Sequence, residues 1–176
     1  MSSSIRFLAS SLFLSLFSGA FISNAYAEKW KISNCLISFK TRGSPVLVSI
    51  EGKSEAACSG DWIVDGGNST KSKVTMDLTK LDTGIALRNK HLRDNYLNVT
   101  KFPTAVMTDI EAKDIDSLIK KGVASKSTFK GMLELHGAKK PIQGTFEVKD
   151  GNQYSGNFEI DLPDFDVERG TVKFFV

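Results

Sequence analysis

Apolar and polar residues alternate with a period of two along most of the chain, the pattern of half-buried β-strands. Trp30 and Ile32, then Cys35, Ile37 and Phe39, predict a first strand with a bulge near Asn34. Val46, Val48 and Ile50 alternate after a Gly43-Ser44-Pro45 turn. A third strand is expected over about 60–65, stopped by Asp65-Gly66-Gly67-Asn68, a strong turn signal. Val74, Met76 and Leu78 alternate with Lys73, Thr75 and Asp77, and Ala105 and Met107 fall in the next run. Phe129, Gly131, Leu133 and Leu135 alternate with Lys130, Met132, Glu134 and His136. Ile142, Gly144, Phe146 and Val148 follow a turn region between Gly137 and Pro141. Asp150-Gly151 signals a hairpin. Tyr154, Gly156, Phe158, Ile160 and Leu162 then alternate, and Val172, Phe174 and Val176 end the chain. About eight or nine short strands at this spacing predict an all-β sandwich or barrel. Gly131, Gly144 and Gly156 lie on apolar faces, where glycine relieves crowding at a bend or a close approach.

One segment breaks the alternation. Asp82 and Thr83 are helix-capping residue types. Ile85, Leu92 and Tyr96 then share one helical face, flanked by Leu87 and His91. Phe102-Pro103 returns the chain to an extended state. A second, weaker helix is expected over 115–121, ended by Gly122.

Composition places the chain among ordinary globular proteins: 176 residues, 41% hydrophobic and 24% charged. A net charge of +3 is too small to suggest a nucleic-acid partner. The N-terminus changes the picture more. Arg6 is the only charge before Glu28, and an apolar stretch over 7–22 leads to Ala25-Tyr26-Ala27. That is the pattern of a cleaved secretory signal, so residues 1–27 are expected to be removed and 28–176 to form one mature domain. No cysteine stands at the cleavage point, and no other segment is long and apolar enough to span a bilayer. Stable membrane insertion is therefore not expected. Cys35 and Cys58 both lie in the mature part, and in an oxidising compartment they point to a disulfide, with two buried thiols as the alternative. Asn68 and Asn98 fit the glycosylation acceptor pattern, which matters only in a eukaryotic secretory pathway.

Residues that carry chemistry are few. His91 and His136 stand far apart and lack the three or four converging ligands of a metal site. Each reads as a histidine bonded to a turn or helix end. No G-x-S-x-G elbow, P-loop or dinucleotide fingerprint is present. Glu159 and Asp161 share the face opposite the apolar residues and read as solvated. No catalytic residue, metal or cofactor is expected, and the chain does not read as an enzyme.

Three stretches carry a family resemblance. One runs from Leu81-Asp82-Thr83-Gly84 through His91-Leu92-Arg93 to Tyr96-Leu97 and Lys101-Phe102-Pro103-Thr104-Ala105. Another is Gly131-Met132-Leu133-Glu134-Leu135-His136-Gly137-Ala138-Lys139-Lys140-Pro141. The third is Leu162-Pro163-Asp164-Phe165-Asp166-Val167. Together they resemble the YceI-like family over about 28–170. The resemblance implies a single antiparallel lipocalin-like β-barrel of about eight strands with a short helix beside it. It implies a bacterial periplasmic or secreted protein, and a partner that is an isoprenoid-type lipid, either a polyisoprenoid or an isoprenoid quinone. A homodimer stays open. The chain departs from the family at Asn34-Cys35-Leu36-Ile37, where a His-Ser start is usual, and in its cysteine pair. It also departs in the short segment after Asp166, so that either the barrel closes with a stub or the chain is a fragment.

A lipid inside such a barrel would meet the inward faces of the strands. The expected wall is Phe39, Met76, Leu78, Met107, Phe129, Leu133, Leu135, Phe146 and Phe158. Leu92, Tyr96, Leu97 and Phe102 would form a lid. The same residues also suit a plain core, so the alternative function is a stress-response or interaction module with a filled barrel and no ligand. Arg88 is expected to pair with Asp82, with contact to a ligand head group as the second reading.

Overall fold

Alternation becomes strand throughout the region that the computed structural model describes, residues 27–32, 35–42, 49–54, 58–65, 68–69, 71–113, 125–149, 153–167 and 171–175. The strands are β1 (Glu28–Ile32), β2 (Ile37–Arg42), β3 (Ser49–Ser54), β4 (Cys58–Asp65), β5 (Asn68–Ser69) and β6 (Ser72–Asp77). They continue as β7 (Thr104–Ala112), β8 (Ser125–Leu135), β9 (Ala138–Lys149), β10 (Gln153–Asp161) and β11 (Thr171–Phe175). All pairings are antiparallel, in the order β1-β4-β6-β7-β8-β9-β10-β11-β2-β3, with β5 beside β4.

The expected first strand is two strands. β1 pairs with β4, whereas β2 pairs with β3 and β11. Splitting lets one continuous apolar pattern supply opposite ends of the sheet. The short C-terminal strand is not an edge, because β11 pairs with β10 on one side and β2 on the other. Val46, Val48 and the 115–121 helix fall outside the described residues.

β8 and β9 form the longest ladder, joined at His136-Gly137, both with positive φ (52° and 85°). Such a two-residue turn matches the twist of the strands it connects. Pro141 was expected in the turn region but lies inside β9, opposite Met132. The β10 ladder along β9 stops at Gly144, so the missing N–H of Pro141 leaves no gap there.

The sheet curls around one interior. Ile37 of β2, Met76 of β6, Ala105 of β7, Leu133 of β8 and Phe158 of β10 line the same small void, although their strands are spread along the sheet. A sheet whose separated strands share a core is a barrel. β7 keeps its inward face through a bulge: Asp109 takes φ 53°, and burial passes from Ala105 and Met107 to Ile110 and Ala112.

Two ties bridge the ends of the strand order. The N–H and C=O of Lys53 on β3 each bond Asp82, at 2.8 Å. A disulfide joins Cys35, before β2, to Cys58 at the start of β4.

Candidate functional site

The interior has two unlike halves, and strand register places them. Toward the Leu135–Ala138 end, the core is tightly filled. Ile37, Met76, Leu78, Leu81, Ala105, Leu133, Leu135 and Phe158 leave a void of only about 10 Å³. Phe129 stands edge-on to Phe158, with centroids 6.4 Å apart. Gly144 makes this arrangement fit, because a Cβ there would lie 2.6 Å from the Phe129 ring and collide with the Asn157 carbonyl. Gly52 does the same for Phe39, whose ring covers it.

Toward the opposite end, aromatic rings span the barrel. Trp30 of β1 meets Tyr154 of β10 at 6.4 Å, Tyr154 stacks on Phe146 at 6.0 Å, and Phe146 stacks on Trp62 of β4 at 5.6 Å. Phe146 is buried, the two tryptophans are half-buried, and Tyr154 is 39% exposed. The indole Nε1 of Trp62 is shielded from solvent with no hydrogen-bond partner, as is the Ser125 hydroxyl, which lies in the same half of the barrel opposite Val148. These orphaned atoms matter because a buried polar group without a partner is costly and uncommon.

Phe39, Met76, Leu78, Met107, Phe129, Leu133, Leu135, Phe146 and Phe158 are all buried in one core cluster. The expected lid does not assemble as one surface. Leu97 is buried and Leu92 packs against the core, but Tyr96 is 39% exposed. Phe102 packs against the His136 ring at 4.6 Å, near Gly137. Trp30, Trp62 and Tyr154 were not in the expected wall. Period two puts Trp62 on the face of Val64, but alternation cannot say which interior positions meet across a barrel.

Helix α1 (Ala86–Lys90) continues into a wider π-helical turn, His91–Tyr96. Asp82 and Thr83 do not cap it as expected; Ile85 stands before its first residue with no side-chain cap. Asp82 is held extended by β3, and its Oδ1 accepts from the Gly84 N–H at 2.8 Å and the Asn89 amide at 2.6 Å. Asn89 Oδ1 in turn accepts from the Thr83 N–H at 2.7 Å and hydroxyl at 2.6 Å. Arg88 does not pair with Asp82. It donates to the Thr83 hydroxyl and carbonyl, at 2.9 Å and 2.5 Å. The Gly84 N–H and the Asn89 amide, with Lys53 and Arg93 nearby, hold the Asp82 carboxyl below its ordinary value. An open groove of about 570 Å³ lies between β2–β3 and Asp82–Gly84, lined in part by Phe39, Lys40, Gly52 and Lys53.

His91 is exposed on the helix. His136 lies at the β8–β9 turn, with Nδ1 3.2 Å from the Phe165 carbonyl, as expected of a turn histidine.

A curled antiparallel sheet with an apolar interior and a helix on its outside defines a lipocalin-like β-barrel. The YceI-like domain model matches residues 30–175, and the chain belongs to that family. Among curated relatives, a UPF0312 protein of Vibrio vulnificus is 32% identical over 121 residues, 62% of this chain and 60% of that relative's length. Protein YceI of Shigella flexneri is 40% identical over 81 residues, 45% of this chain and 37% of that relative. The chain thus spans 60% and 37% of the length of these two curated relatives, less than two thirds of either. Two solved structures share the fold at a TM-score of 0.58, each covering 81% of this chain and 94% of its own. One is a polyisoprenoid binding domain from Saccharophagus degradans implicated in plant cell wall breakdown, 17% identical. The other is Burkholderia cenocepacia BcnA, 15% identical.

Proposed function

We propose that the chain is an exported carrier that holds an apolar isoprenoid-type lipid, a polyisoprenoid or an isoprenoid quinone, inside its barrel. The observation that carries this reading is the orphaned indole N–H of Trp62 within the aromatic half. A shielded donor without an acceptor costs about 1–3 kcal/mol. A carbonyl or hydroxyl head group would satisfy it, and the Ser125 hydroxyl offers a second contact in the same half of the barrel. The prenyl chain would then displace rings and reach the wall of Phe39, Met76, Leu78, Met107, Phe129, Leu133, Leu135, Phe146 and Phe158. Leu92, Leu97 and Phe102 would brace that wall, and Tyr154 would move as the entrance opens. The polyisoprenoid-binding domain of the same fold supports the choice of lipid. In this reading residues 1–27 are removed on export, and the disulfide fits an oxidising periplasm. The chain acts as a binder rather than a catalyst.

One observation favours a second reading. The enclosed void of about 10 Å³ is far below the roughly 300 Å³ of a ligand pocket. A barrel that stays filled would be an interaction module with no ligand. Native mass spectrometry on protein recovered from a bacterial periplasm, with organic extraction, separates the two. A released prenyl lipid or quinone is expected. A clean apo mass, unchanged after incubation with such lipids, would sink the carrier reading in favour of the filled module.

A further inference from the structure

We infer that the outer face of the helical segment 85–96 is a docking surface for an anionic phospholipid bilayer. Ile85 and Leu87 are 52% and 64% exposed, large apolar side chains with no core to enter. They stand beside a concentration of positive charge. The segment carries Arg88, Lys90 and Arg93 against one carboxylate, Asp94, while the full chain of 176 residues is only +3. Asp82 and Lys53 flank the segment and cancel each other in number.

The two guanidinium groups use neutral hydrogen-bond acceptors. Arg88 bonds Thr83, and Arg93 bonds the carbonyls of Asn89 and Thr79, at 3.2 Å and 2.9 Å. These bonds fix the groups in place; Arg93 also lies near the Asp82 carboxylate, while the bonds of Arg88 go to Thr83 alone. Lys90 is exposed. Exposed apolar side chains and cations on one short helical segment suit a helix lying in a membrane interface, with the apolar side chains below the head groups and the cations among the phosphates. The inner side of the segment is already committed, since Asn89 and Leu97 are buried and Leu92 packs on the core. The outer side therefore docks without unfolding.

A second copy of this chain fits the surface less well. A twofold contact would bring the same cations of both copies together. Two exposed side chains also supply far less than the roughly 1,200 Å² of a stable protein interface. A bilayer requires only shallow insertion and supplies the opposite charge. The groove beside Asp82–Gly84 adjoins this face, so docking would set its mouth at the head groups.

The proposal does not depend on what the barrel holds, and its test needs no ligand. Protein recovered from the periplasm, with loss of the N-terminal segment checked by mass, is floated with vesicles of phosphatidylcholine alone or with phosphatidylglycerol added. Binding to the anionic vesicles is expected to be at least about tenfold tighter and to weaken steeply with salt. Leu87→Ser and Lys90→Glu, each verified as folded by its thermal melt, are each expected to weaken it about tenfold. Equal binding to both vesicles, or variants that float like the wild type, overturns the proposal. So does a concentration-dependent dimer that Leu87→Ser abolishes. Vesicle binding by a protein that extracts no isoprenoid would keep this inference and reject the carrier reading.

Discussion

Asn89 sits at a crossing of three segments, and its side chain makes three bonds of 2.6–2.7 Å, to Asp82 and to both donors of Thr83. Removing it strands the Thr83 donors in a buried site, where each unsatisfied group costs about 1–3 kcal/mol. Asn89→Ala is expected to destabilise the fold by about 3 kcal/mol in chemical denaturation. Asp82 belongs to the same cluster. Its lowered carboxyl pKa contributes stability that is present above the ordinary 3.8 and is lost as pH falls through the lower folded value. The stability gap between wild type and Asp82→Asn should therefore be widest near neutrality and close on acidification below pH 3.8, measured as denaturation midpoints against pH. Trp62 behaves in the opposite sense. Trp62→Phe keeps a ring against Phe146 but deletes the orphaned N–H. It should leave the empty barrel as stable as before, within about 1 kcal/mol, and reduce the lipid retained on extraction. Loss of stability with unchanged lipid content would count against Trp62 as the head-group contact. The residue types here were readable, but their partners were not. Asp82 and Arg88 suggested an ion pair by proximity in sequence, whereas Gly84, Asn89 and Thr83 compete at shorter range once the segment is extended against β3.

At the scale of elements, the ends of the sheet differ from its middle. β8 and β9 pair over eleven residue pairs from Ser125↔Val148 to Leu135↔Ala138, while β3 pairs with β2 on one side and, among the described residues, meets the other side only at Lys53–Asp82. The disulfide spans 23 positions and ties the approach to β2 to the start of β4. Closing a loop of that length stabilises by about 3 kcal/mol in the chain-entropy picture. A Cys35→Ser, Cys58→Ser double variant should lose about that much, and reduction of the wild type should reproduce the loss. Alternation located most strands, because one buried face leaves a period-two record in sequence. It merged β1 with β2, since the one-residue shift from Trp30 and Ile32 to Cys35, Ile37 and Phe39 reads as a bulge within one strand. It also gave no warning that the helix would widen at His91–Tyr96, nor that Ile85 and Tyr96 would be exposed while Leu92 and Leu97 turn inward.

For the molecule as a whole, the core determines cooperativity. One cluster runs from Ile37 on β2 to Phe165 beyond β10, so the barrel should melt as a unit. Hydrogen exchange should nevertheless rank its strands: slowest in β8 and β9, fastest in β1 and β3 at the ends of the strand order. Uniform protection would mean that the ends are paired more completely than the ladder indicates. Leu133→Ala, in the most tightly filled half, should cost about 2–5 kcal/mol, because the side chain is fully buried and its neighbours leave little room to collapse.

The sequence by itself determined that the chain is β-rich, which faces of its strands are apolar, where one helix interrupts them, and which family its motifs resemble. These are local properties, set by side-chain period, turn residues and short signatures. Tertiary structure decided what lies across the barrel. Strand order brought Trp62 to Phe146 and Trp30 to Tyr154, and side-chain volumes packed Met76, Leu133 and Phe158 around almost no free space. It also left Ile85 and Leu87 outside among cations. Distances between strands remote in sequence, and the volume left between them, depend on how the whole sheet closes, and no local pattern encodes that closure.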